Sequence, residues 1–323
     1  MPPNPRILEQ RIDDERAWTA PQLKASRCWI QSMPGALWAM VDPVIDGWRS
    51  SRGPITSVRL TPQQARRGRE LLHDLVRTLE SGLGFVLLDR IPLDRFTFDE
   101  ATLVYWLIGQ MIGKPIVQNV KGTLLYDVRD VGADYTQGAR FSVTNARSSF
   151  HTDGAFQPRM ADTIALLCLR TARSGGESQM ASAYSLHNVL AERHRESLAT
   201  LYRAFHFDRR GEVLDGESPT SLQPVFRWDG RELTMRYLNY YILEGHQKAG
   251  IALSASQQEA ISAVERHLDD PDLFVEFSIE PGQMLFSNNH WTLHNRNAFQ
   301  DHEDPEQRRH YVRLWLERET EPG

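Results

Sequence analysis

The chain has 323 residues, 41% of them hydrophobic and 24% charged, with 21 Gly and 17 Pro. This is ordinary globular usage, which excludes collagen, coiled coil and bulk disorder. Thirty-seven Lys and Arg stand against 42 Asp and Glu, a formal charge of -5, and no block of like charge is long enough to track a phosphate backbone, so nucleic acid is not expected as a partner. Cys28 and Cys168 are too few and too far apart for a disulfide framework. No apolar run approaches the ~18 residues of a membrane span, and MPPNPRILEQRIDDER carries charges where a secretory leader needs apolar residues. The expectation is a soluble cytoplasmic protein.

Residues 1–60 hold Trp and scattered Pro without strong periodicity. They read as an arm that packs on the body or on a neighbouring subunit of a homo-oligomer, with 61–323 as the main domain. Thr61 ahead of PQQ is a candidate N-cap, and Leu71, Leu72, Leu75 and Leu79 recur at helical spacing until Gly82 and Gly84. GFVLLDRIPL at 84–93 reads as a strand and 99–112 as an apolar helix stopped by Gly113, Lys114 and Pro115. Short β-rich segments follow: VTN at 143–145, TIALLCLRT at 163–171, PVFRWDGRELTMRY at 224–237, FVEFSIE at 274–280, QMLFSNN at 283–289 and RHYVRLWLE at 309–317. WDGRE and EPGQ supply the turn residues of hairpins. Helical patterns at 185–205 and 254–270 interrupt the set, the second capped by Ser254 or Ser256. The sum is mainly β with helical inserts, an antiparallel double-sheet core of jelly-roll type.

Among eleven histidines, the leading metal candidates are His151 and Asp153 in FHTDGAF. An H-x-D pair on extended chain puts an imidazole and a carboxylate on one face. The spacing alone is cheap, since His267 with Asp269 and His302 with Asp304 repeat it. The former closes a helix, where i and i+2 face apart, and the latter lies in a charged loop, so only the first pair is flanked by apolar residues and a Gly. A third ligand must come from far along the chain. LFSNNHWTLHNRNAF at 285–299 offers His290 and His294, of which His294 is preferred. Two His and one Asp leave coordination positions open, the facial triad suited to Fe(II) and O2 chemistry. Strand alternation would direct Arg309, Tyr311, Arg313 and Trp315 to one face, where an arginine can grip a dicarboxylate bidentately; a register slip of one would substitute Arg308.

HTDG at 151–154, GGES at 175–178, LHNR at 293–296 and QRRHYVR at 307–313, in that order and spacing, resemble the TauD/TfdA family of Fe(II)- and 2-oxoglutarate-dependent oxygenases, also called clavaminate-synthase-like, from about residue 80 to the C-terminus. The resemblance implies a double-stranded β-helix core with iron held by His151, Asp153 and His294. It further implies that Arg309 clamps the distal carboxylate of 2-oxoglutarate, with Ser178 where the family has a threonine. Arg313 matches a second arginine that in relatives contacts the substrate's anionic group or backs the cosubstrate. The implied activity is that of an oxidoreductase that couples decarboxylation of 2-oxoglutarate to succinate and CO2, using O2, to hydroxylation of a small organic substrate. Asp153 in the ligand position disfavours halogenation.

Substrate contacts are expected from Arg313, Asn119 and Tyr126, with Gln118 in the same segment; the substrate would be anionic or amino-acid-like if Arg313 faces the cavity. The stretch 207–211 reads as a lid salt bridge or a solvated turn, and Tyr237, Tyr240 and Tyr241 as strand tyrosines that line a pocket or simply pack. Two rivals stand beside hydroxylation: desaturation, cyclisation or epoxidation with the same cofactors, and a cupin-like binding protein without turnover. Arg309 with Ser178 discriminates against the second, because a metal site without a dicarboxylate has no use for them.

Overall fold

The computed structural model describes residues 5–133 and 140–319. Along the N-terminal part run α1 (Ala20–Ser26), β1 (Ile30–Ser32), α2 (Trp38–Ser51), α3 (Pro62–Leu71), α4 (His73–Glu80), β2 (Phe85–Asp89), α5 (Phe98–Ile112), β3 (Lys114–Ile116) and β4 (Leu125–Val128). The middle holds β5 (Thr163–Arg170), β6 (Ser174–Gly175), β7 (Ser178–Ser182), α6 (Ala183–Arg193), α7 (Arg195–Leu201), β8 (Ala204–Asp208), β9 (Thr220–Pro224), β10 (Phe226–Trp228) and β11 (Leu233–Met235). The chain ends with α8 (Asn239–Ala249), α9 (Ala255–Leu268), β12 (Phe274–Phe277), β13 (Met284–Asn288), β14 (Thr292–Arg296), β15 (Phe299–Gln300) and β16 (His310–Glu317).

Two sheets carry the architecture. The larger has the order β1-β2-β13-β5-β16-β3, with β4 also on β16, and every pairing but β1–β2 is antiparallel. The smaller is β12-β7-β14, antiparallel throughout. Period-two alternation gives each strand of the large sheet two jobs. Val86, Leu88, Ala165, Leu167, Phe286, Val312, Leu314 and Leu316 point outward into a core built with α2, α4 and α5. Phe85, Leu87, Cys168, Leu285 and Tyr311 point inward, where Met180 and Val275 of the small sheet meet them. The outer face of the small sheet, through Ala181 and Leu293, packs on a third core formed with α6, α7, α8 and α9.

Local chemistry explains the elements. Thr61 caps α3 and Thr97 caps α5, each in a capping box with Gln64 or Glu100, and Ser254 caps α9 with Gln257. The turn between β12 and β13 has Pro281 and then Gly282 at φ +86, closed by the Gln283 N–H donating to the Glu280 carbonyl at 2.9 Å. The 185–205 pattern breaks at His194 into α6 and α7 and passes into β8 at Ala204. Two expected features differ. VTN lies in a 3-10 turn (Phe141–Val143) and the loop after it, because three residues without a pairing partner gain no ladder hydrogen bonds. Tyr240 and Tyr241 belong to the first turn of α8, which the positive-φ Gly250 terminates.

The N-terminal residues lie on the same chain's body. The Trp18 indole N–H donates to the Leu83 carbonyl at 2.8 Å, the Asn188 amide brackets the backbone of Ile12, and β1 extends the large sheet beside β2. Val41, Ile45 and Trp48 of α2 share the core under α5. Among the described residues no helix is long and apolar enough to cross a membrane.

Candidate metal centre

His151 and His294 are brought together by main chain. Each donates its N–H to the other's carbonyl, at 3.0 and 2.9 Å, an isolated antiparallel bridge that joins the HTDG loop to β14. The loop is pinned next to it: the Asp153 N–H donates to Asn289 Oδ1 at 2.8 Å, while the Asn289 amide donates back to the carbonyls of Asp153 and Ala161 at 2.9 and 3.1 Å. Gly154 follows in a left-handed conformation (φ +64) with Trp315 so near that a Cβ would lie 3.3 Å from its ring, which favours glycine there.

The result is the one group of three potential ligands found among the described residues: donor atoms of His151, Asp153 and His294 within 4.8 Å of one another. Asp153 Oδ1 lies 3.6 Å from His151 Nε2 and 3.8 Å from His294 Nε2. A first-row dication with ligand bonds of about 2.1 Å can bridge donors up to ~4 Å apart, so both carboxylate–imidazole spacings fit one ion. The His151 tautomer fits as well. His151 Nδ1 lies 2.7 Å from the Ser149 carbonyl oxygen, so it carries the proton and Nε2 is left with a lone pair for a metal. Burial, then the neighbouring His151, depress the His294 imidazole to about 3 despite the opposing Asp153, which keeps it neutral at physiological pH. Burial alone would raise the Asp153 carboxyl; the Arg313 guanidinium instead holds it well below the usual range.

The other carboxylate oxygen is already engaged. Asp153 Oδ2 accepts from Trp315 Nε1 at 3.0 Å and from Arg313 at 2.9 Å. Arg313 in turn donates from Nε to Gln118 Oε1 at 2.8 Å, and the Gln118 amide donates to the carbonyls of Arg313 and Leu124. Only Oδ1 is left facing the two imidazoles.

These residues line a cavity between the sheets, about 1160 Å³ counted out through its mouth. Arg309 enters it buried at 4% exposure with one terminal nitrogen unpartnered; its guanidinium sits over the Tyr311 ring at 3.9 Å, and a Cβ on Gly176 would lie 3.6 Å from its Nε. Ser178, the buried first residue of β7, lines the same cavity. The GGES and QRRHYVR segments therefore converge. Arg308 is exposed and His310 bonds Asp127 at 2.6 Å, so the register turns Arg309 inward.

The remaining candidates separate. His290 is held by Asp162 at 2.6 Å, outside the ligand group. Arg313 lines the cavity while bonded to Asp153. Asn119 does not line it: its side chain accepts from the backbone of Lys121 and Thr123 and holds a turn. Tyr126 also lies outside the lining, stacked on Arg313 at 5.0 Å with its hydroxyl 3.5 Å from Ser142. Tyr241 does line the cavity, whereas Tyr237 is buried and its hydroxyl donates to Glu265 at 2.5 Å. Asp208, expected in a lid or a solvated turn, is fully buried and bound by Arg210 and Lys248. Two contributors had no role in the sequence reading, Asn289 and Arg140, and Arg296 stood there only as the last residue of LHNR. An Asn next to a candidate His, or an Arg in an irregular loop, carries no periodic signal.

Comparison with known proteins points one way. The profile described as "Taurine catabolism dioxygenase TauD, TfdA family" matches residues 56–315. FR-33289 synthase of Streptomyces rubellomurinus (strain ATCC 31215) is 27% identical over 315 residues, 96% of this chain and 91% of the relative. A uridine-5'-phosphate dioxygenase of Amycolatopsis sp is 27% identical over 189 residues, covering 58% and 66%. Among solved structures, asparagine oxygenase in complex with Fe(II), hydroxyasparagine and succinate superposes with a TM-score of 0.67 at 17% identity, covering 89% of this chain and 93% of that one. The non-heme iron oxygenase OrfP in complex with Fe and alpha-ketoglutaric acid gives 0.63 at 17% identity, covering 89% and 94%.

Proposed function

The chain belongs to the TauD/TfdA family of dioxygenases, and from that premise we propose that it hydroxylates a C–H bond of a small anionic organic substrate. Its cofactors are Fe(II), 2-oxoglutarate and O2. His151, Asp153 and His294 hold the iron, Arg309 and Ser178 receive 2-oxoglutarate, and the facing sheets form the double-stranded β-helix that carries them. The observation that supports this most is a His-Asp-His cluster sharing a cavity with a buried arginine that has an unused nitrogen. Bound iron with 2-oxoglutarate supplies an oxidant able to attack an unactivated C–H bond.

The chain's own residues set the conditions. Trp315 and Arg313 occupy Asp153 Oδ2, which favours a one-oxygen ligand and leaves positions open for cosubstrate, O2 and the approach of substrate. The Arg309 guanidinium, its flanks against Tyr311 and Phe299, has an unpartnered terminal nitrogen to offer a carboxylate. Met180, Leu166 and Leu285 make the wall apolar and limit water.

The charge of the cavity supports the anionic substrate. Arg140, Arg296, Arg309 and Arg313 line it, and Asp153 is the one acid among the described residues that line it. Some solved relatives are complexed with hydroxyarginine or hydroxyasparagine; a guanidinium substrate would here meet four of its own sign. The test is anaerobic addition of Fe(II) and 2-oxoglutarate to the metal-free protein. A weak visible charge-transfer band is expected, together with 2-oxoglutarate-dependent succinate formation under O2. Tight Zn(II) retention with no band would overturn the reading.

A further inference from the structure

The four arginines of the cavity are not equivalent. Arg313 is spent on Asp153 and Gln118. Arg296 donates to the carbonyls of Thr144 and Ala146; burial, then Arg309, lower it to about 9, so it is still a cation at neutral pH. Arg309 belongs to the cosubstrate if the oxygenase reading holds. Arg140 differs from all three. It comes from a loop at the mouth, its side chain is 28% exposed, and it is paired with Glu212, which is not a lining residue.

Glu212 has a second tie of its own: its Oε2 accepts the Val120 N–H at 2.7 Å, so it stays in place when Arg140 leaves it. Ser142 and Tyr241 line the cavity beside Arg140. Tyr241 shares that lining with Arg140, Asp153 and Arg313; its phenol is raised by burial, and Arg140 is the charge that acts on it most. With iron and 2-oxoglutarate bound, the metal and Arg309 are matched by Asp153 and the two carboxylates of the cosubstrate. Among the described residues, Arg140, Arg296 and Arg313 then face Glu212 and, beside Arg296, Asp130, a remaining positive excess that an oxyanion would offset.

We propose that Arg140 is the anchor for the anionic group of the substrate, that it exchanges Glu212 for this group on binding, and that the Ser142 and Tyr241 hydroxyls donate to the same oxyanion. The substrate class is a small molecule with a terminal oxyanion set apart from the C–H that is oxidised. This deepens the oxygenase reading and depends on it only for the occupation of Arg309.

The test is calorimetric titration of the anaerobic Fe(II)·2-oxoglutarate complex, and in parallel of metal-free protein, with inorganic phosphate, sulfate and acetate. Phosphate above its second pKa should bind most tightly and acetate least. Arg140→Gln should weaken phosphate at least tenfold with the visible band intact, and Arg140→Lys should recover part of the loss. Glu212→Gln removes the competitor, and relieving an ion pair of about 1 kcal/mol should tighten phosphate roughly fivefold. Equal phosphate affinity in native and Arg140→Gln proteins, weaker affinity in Glu212→Gln, or no binding of any of the three anions to the native protein would overturn the proposal. A missing band with Arg140-dependent phosphate binding in the metal-free protein would sink the oxygenase reading and leave the anchor standing.

Discussion

At the scale of single residues, the ligand carboxylate is held by two donors of different kinds, and they are separable. Trp315 offers one neutral N–H to Asp153 Oδ2, and Arg313 a charged one. Partners of this kind around a metal ligand are worth about 10- to 100-fold in metal affinity. Trp315→Phe keeps the ring against Gly154 and deletes the N–H, so Fe(II) affinity should fall by about tenfold with little change in Tm; an unchanged dissociation constant, read by competition with a chelator dye, would show that Arg313 suffices. His151→Ala should abolish 2-oxoglutarate-dependent succinate formation, whereas His302→Ala, outside both the cavity lining and the His-Asp-His group, should leave it intact. Equal losses from both would mean that the ligand set is wrong.

Elements show where the sequence was readable and where it was not. Alternating strands such as β16 and capped helices such as α9 could be read because their burial pattern and their cap residues are local. The two N-terminal helices were not, since Pro43 sits inside α2 and interrupts its pattern; yet the Thr19–Gln22 box with Pro21 at the head of α1 was a signal available to be read. The His151, Asp153 and His294 cluster could be picked out because chemistry restricts the residue types that can share an ion, while Arg140 and Asn289 could not, because their placement depends on contacts made across the fold. Helix α8 is the sharpest case. It carries Tyr241 to the cavity, and it can do so because Gly245 lets it rest on the backbone of β8: a Cβ would fall 2.3 Å from the His206 carbonyl oxygen. Gly245→Ala should lower the Tm by several degrees, about 1–3 kcal/mol of overpacking. Substrate binding should suffer more than cosubstrate binding, measurable as a rise in KM for substrate at constant KM for 2-oxoglutarate.

For the molecule as a whole, stability is tied to charges and aromatic residues far from the cavity. Arg49 of α2 donates to Glu100 at the head of α5 at 2.8 Å. That bond, followed by the Thr97 N–H, depresses the Glu100 carboxyl from 4.5 to about 2. A depressed folded-state value means stability that is complete above pH 4.5 and is lost as the pH falls towards 2. Glu100→Gln should therefore flatten the acid limb of a Tm-against-pH curve and cost about 1 kcal/mol near neutrality, Arg49 being partly exposed. An acid limb of undiminished slope would assign the loss to other carboxylates. Trp18 is buried on Phe85 and hydrogen-bonded to Leu83, so Trp18→Ala should cost about 3–5 kcal/mol, and the unfolding midpoint in urea should shift accordingly if the N-terminal residues are structural.

Strand β16 presents Val312, Leu314 and Leu316 to the helices on one side, and Arg313 and Trp315 to the cavity on the other. Burying the greasy set and aiming the reactive set are thus one event, because a displacement by a single position would drown the arginine in the core and strand the leucines in the cleft. Misregistered molecules are weeded out by their own instability, so a population that survives heating should be uniformly competent to load its cofactors, with no stable yet inert fraction.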